Sequence, residues 1–85
     1  MKYRKLLDKL NKLTGLGNDA DREEIEKLRV VLKALKEKQN KFAAKLEQAE
    51  GEHERRKLKQ KLEVIQQQRK KGLDVYKRLR EIRDA

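Results

Sequence analysis

Eight cations stand close together between residues 55 and 71. Arg55, Arg56, Lys57, Lys59, Lys61, Arg69, Lys70 and Lys71 face one carboxylate, Glu63, over that stretch. Cations in this density suit phosphate oxygens or an acidic protein surface, and such binding weakens with salt as counterions are released. The competing reading is a solvated helix face, neutralised in part by pairs one turn apart such as Glu52 with Arg56 and Lys59 with Glu63. No aromatic residue interrupts the run, which argues against stacking of single-stranded bases and leaves sequence-tolerant contact as the nucleic-acid option.

The remaining chemistry is sparse. His53 lies among Glu50, Glu52 and Glu54, but a metal site needs a second ligand at defined spacing and none is there, so a solvated turn residue is expected. The chain has no cysteine, which removes thiolate catalysis and cysteine-based zinc sites and fits a reducing compartment. Thr14 is the one hydroxyl besides two tyrosines, and no base stands beside it in the sequence. Glu23 and Glu24 are more simply explained as negative charge at a helix start than as an acid–base pair. The expectation is a protein that is not an enzyme and carries no metal and no cofactor.

The elements that position these residues follow from apolar spacing. Tyr3, Leu6, Leu7, Leu10 and Leu13 recur at helical intervals with lysines opposite, giving an amphipathic helix over about 2–14. Gly15 is placed to end it in the left-handed conformation, and 15–18 reads as a linker. A second helix over about 19–50, capped by Asn18 or Asp19, carries Ile25, Leu28, Leu32, Leu35, Gln39, Phe42, Leu46 and Ala49 in unbroken 4,3 spacing. After a turn at about 51–55, a third helix over about 56–84 carries Leu58, Leu62, Ile65, Leu73, Val75, Tyr76, Leu79 and Ile82.

The apolar residues of the last two helices mirror one another about residue 53, with Phe42 opposite Ile65 and Gly72 opposite Leu35. Such symmetry favours an antiparallel hairpin. One continuous helix paired in parallel with a second copy is the alternative, and it would put His53, Arg56, Gln60 and Glu63 on its seam. Gly72 either admits a close neighbour or breaks the third helix ahead of Asp74. Gln39 and Gln68 form a polar waist, read as a hydrogen-bonded layer that fixes register. Beyond it two helices are expected to project as an arm of about 25 Å.

The expected fold is therefore all-α: a short amphipathic helix packed on a long antiparallel coiled-coil hairpin, one domain over 1–85. Two helices alone would leave Phe42, Ala43, Leu46, Leu62 and Ile65 wet on one side, so a homodimer joined through them into a helical bundle is expected. No apolar run exceeds three residues, so neither a membrane span nor a signal peptide is expected and the location read from sequence is cytoplasmic. The first helix lacks the Trp or Phe wedge of a membrane-surface helix. The net charge of +10 falls on the flanks, since residues 19–50 carry eight charges of each sign. A protein–protein interaction module, an adaptor or scaffold, is the leading functional expectation. Sequence-tolerant nucleic-acid binding through the basic third helix is the alternative.

Overall fold

A computed structural model describes residues 3–16 and 20–84, with side chains through Ile82. Among these residues the chain is all-helical, with three helices and no strand: α1 (Tyr3–Thr14), α2 (Arg22–Gln48) and α3 (Glu52–Asp84). The molecule is a rod of 50 × 20 × 15 Å, as long as α3 itself at 1.5 Å per residue. It breaks after α2 and doubles back, so the continuous-helix alternative is excluded. The Arg69 guanidinium reaches the backbone carbonyl of Leu32 at 3.2 Å, a contact across 37 residues of sequence that requires α3 to run antiparallel to α2.

Asp21 opens α2. Its carboxylate accepts from the Glu24 amide at 2.8 Å, while the Glu24 side chain accepts from the Asp21 amide at 3.2 Å, a reciprocal capping box. The expected caps, Asn18 and Asp19, lie outside the described residues, and the helix starts later than expected. Asp21 has a glutamate three residues on, whereas Asn18 and Asp19 are followed at that distance by Asp21 and Arg22. Replacing Asp21 with alanine is expected to cost about 1 kcal/mol in denaturant unfolding followed by circular dichroism, the usual worth of such a cap.

Gly15 does not take the left-handed conformation expected of it. Its N–H instead continues the helical ladder to Asn11 O at 3.0 Å, and the Thr14 hydroxyl donates to Leu10 O at 2.9 Å. At the other joint, only Ala49, Glu50 and Gly51 separate α2 from α3. The Arg55 N–H bonds Gly51 O at 3.0 Å to start α3, and the Arg55 guanidinium donates back to the carbonyls of Leu46 and Ala49 at 3.2 and 3.1 Å. That guanidinium satisfies carbonyls left orphaned at the end of α2, near the negative end of its dipole.

The early turn moves the register. Gly72 lies against Leu32 and Leu10, not Leu35, because a three-residue reversal brings α3 back about one helical turn sooner than the mirror about residue 53 requires. The helix continues through Gly72, which admits a close neighbour. The main core cluster takes Leu6 and Leu10 from α1, Ala20 from just before α2, Ile25, Leu28, Val31, Leu32 and Leu35 from α2, and Ile65 and Leu79 from α3, while Ala49, Leu58 and Leu62 are buried outside it toward the turn. Leu10, Leu28, Leu35 and Ile65 are its most fully enclosed side chains. Gln39 and Gln68 are half-buried and no hydrogen bond joins them among the described residues, so the polar tie between the long helices near this level is Arg69 to Leu32.

Candidate functional site

Tyr3 at the start of α1 meets Phe42 of α2 edge-on, with ring centroids 5.8 Å apart and planes at 89°. The first helix thus runs antiparallel to α2 and reaches past the Gln39 waist. The two-helix arm beyond Phe42 is correspondingly short, about nine residues or 14 Å of α2 and turn. This reach also changes the face a second copy was expected to cover. Leu62 and Ile65 are buried within the chain, Phe42 and Leu46 are half-buried, and Ala43 alone of the five is exposed.

The eight clustered cations divide into two groups. Three are engaged within the fold: Arg55 at the end of α2, Arg69 on the Leu32 carbonyl, and Lys61, whose ammonium lies 5.6 Å from the Phe42 ring centre and 5.9 Å from that of Tyr3. The other five, Arg56, Lys57, Lys59, Lys70 and Lys71, are exposed on the outside of α3. The expected pairs Glu52–Arg56 and Lys59–Glu63 do not form. Among the described residues the ion pairs are Glu23–Lys27 at 3.7 Å and Glu26–Arg29 at 2.6 Å, both along α2. Hydrogen bonding from Arg29 holds the Glu26 carboxyl below the usual carboxylate range against an opposing desolvation, with lesser help from the charges of Arg29 and Arg80. His53 sits exposed on the first turn of α3, and no three metal-binding side chains cluster among the described residues. No helix there is long and apolar enough to cross a membrane.

A concavity lies elsewhere, between α1 and α2. Two adjoining hollows of about 440 and 620 Å³ share Lys9, Val30 and Val31. Leu6 and Ala34 extend the apolar floor at one end and Leu13 at the other. Val30 is 54% exposed on that floor, the most exposed large apolar side chain among the described residues. Lysines line the rim: Lys9 and Lys12 from α1, and Lys27, Lys38 and Lys41 from α2, with Glu23, Glu26 and Glu37 between them. A third hollow of about 430 Å³, reached past Lys38, is lined by Tyr3, Arg4, Phe42 and Lys61 and has no acidic residue in its wall.

None of these groove residues was singled out as a site by the heptad reading. The signal was nonetheless present. Lys27, Val30, Ala34, Lys38 and Lys41 follow 3,4,4,3 spacing, a second stripe on α2 beside the seam, and Leu6, Lys9 and Leu13 repeat it on α1. Compared with known proteins, the chain matches no family model, no curated protein and no solved structure.

Proposed function

We propose that the chain is a non-enzymatic protein-recognition module, an adaptor whose binding surface is the groove between α1 and α2. One observation carries this reading: an apolar floor, with Val30 left open to solvent, is bordered by Lys9 and Lys12 of α1 and by Lys27, Lys38 and Lys41 of α2, with Glu23, Glu26 and Glu37 among them. Apolar area supplies affinity there and the charged rim selects a partner with acidic flanks. Self-association is no part of this reading, since Leu62 and Ile65 are buried within the chain and Tyr3 packs against its core. Nucleic acid is the second reading, favoured by the five cations of α3 that stand exposed without an ion pair.

One experiment separates the two. A photoreactive residue at position 30 samples the groove, and one at Gln67 samples the exposed outside of α3. In the cells that make the chain, position 30 is expected to give a discrete protein adduct that disappears when Lys38 and Lys41 are reversed to glutamate. Nucleic-acid adducts from position 67 with none from position 30 would reverse the order of the two readings, and no adduct at either position would refute both.

A further inference from the structure

We infer that the occupant of the groove is an acidic amphipathic helix of about five turns that lies parallel to α1 with its acidic N-terminal end toward Tyr3 and Phe42. This rests on the protein-recognition reading and specifies its partner. The groove spans α2 from Glu23 to Lys41, eighteen residues or about 27 Å, which matches a helix of similar length. Its floor offers Leu6 and Ala34 at one end, Val30 and Val31 in the middle and Leu13 at the other end, a row that receives anchors spaced three and four apart on a helix laid lengthwise.

Charge chooses among possible occupants. A second copy of this chain brings the same lysine rim and a net charge of +10 against an identical surface, so an isologous contact there sets like charges together. Phosphates gain nothing from a floor of valine, leucine and alanine, and belong on the outside of α3 if anywhere. A helix with apolar anchors and flanking Glu or Asp satisfies floor and rim together.

The direction follows from the uneven distribution of charge. At the Tyr3–Phe42 end, Arg4, Lys38, Lys41 and Lys61 outnumber Glu37, whereas Glu23 and Glu26 balance Lys12 and Lys27 at the Leu13 end. Carboxylates are most stable in the first turn of a helix, where free amides and the dipole favour them. The partner's first turn therefore belongs at the cationic end.

The test uses an eighteen-residue probe with leucines spaced three and four apart and glutamates concentrated in its first two turns. Titrated into the isotope-labelled full chain, it is expected to shift the amides of Lys9, Val30 and Ala34. A paramagnetic tag on its N-terminus should broaden Lys38 and Phe42, leaving Leu13 and Glu23 sharp. Val30→Glu is expected to weaken binding tenfold or more, while Val64→Glu, also at an exposed valine but on α3, leaves it within twofold. Equal affinity for a shuffled probe of the same charge, or shifts confined to α3, would overturn the inference, and broadening at Leu13 and Glu23 would overturn its direction. An adduct from position 30 with a protein segment that is neither helical nor acidic would sink this inference while leaving the recognition reading in place.

Discussion

Truncating Leu10 to alanine is expected to remove about 3 kcal/mol of stability, within the range for a leucine deleted from a closed core. Leu10 is 1% exposed and stands where the three helices meet, packed over Gly72 of α3 and joined to Leu32 in the same cluster. The loss matters more than its size suggests, because small domains have only about 5–15 kcal/mol in total. The first helix has twelve residues, too few to persist in water once undocked. The expected result is therefore not a uniform weakening. Amides of α1 should exchange much faster than those of α2 and α3, and far-ultraviolet ellipticity should fall by up to about a sixth, the share of α1 in the three helices. A uniform rise in exchange over all three helices would show that α1 is not a separate unit. The same variant is expected to weaken partner binding although Leu10 is not among the groove-lining side chains, since α1 supplies one wall of it.

How far the sequence carried the fold can be judged at particular residues. The 3,4 spacing of Ile25, Leu28, Leu32 and Leu35 placed the core side of α2, and all four are buried. The reversal between α2 and α3 was also legible, but its position was not. Gly51 has open space where a side chain would sit, so its presence alone does not locate the turn. What locates it includes Arg55, which bridges back to two carbonyls of α2, and a long cation spent as a cap has no signature distinct from a cation facing solvent. The same ambiguity put Lys61 and Arg69 in a phosphate cluster when one lies over aromatic rings and the other ties the helices together. Apolar periodicity reports which side of a helix is inside; it does not report which neighbour arrives there. That is why the reach of Tyr3 to Phe42, and with it the partial covering of the expected dimer face, depended on the register of α1, which spacing leaves free. The groove shows the reverse case, since its stripe was written in the sequence and was masked by a stronger seam beside it.

Gly72 provides the sharpest test of that three-helix junction. A Cβ built there would stand 2.7 Å from a methyl of Leu10 and 2.9 Å from a methyl of Leu32, closer than carbon atoms pack. Both leucines are almost wholly enclosed, so their methyls can swing only into other neighbours. Gly72→Val, which adds three carbons and a stiff χ1, is expected to cost about 3 kcal/mol as overpacking. Gly72→Ala sets two terms against each other: about 1 kcal/mol gained in helix propensity and about 1–3 kcal/mol lost to crowding. The net is expected to be a loss of about 1 kcal/mol. In the Leu10→Ala background the nearest of the crowding methyls is gone and the new Cβ enters part of the vacated space, so Gly72→Ala should become stabilising there. A double-mutant cycle in denaturant reads this as a coupling of about 2 kcal/mol, large for a single pair in contact. If Gly72→Ala has the same sign and size in both backgrounds, Leu10 does not pack on Gly72, and the docking of α1 across the α2–α3 crossing would have to be abandoned. With it would go the groove, because the α1 wall stands where it does only through this contact.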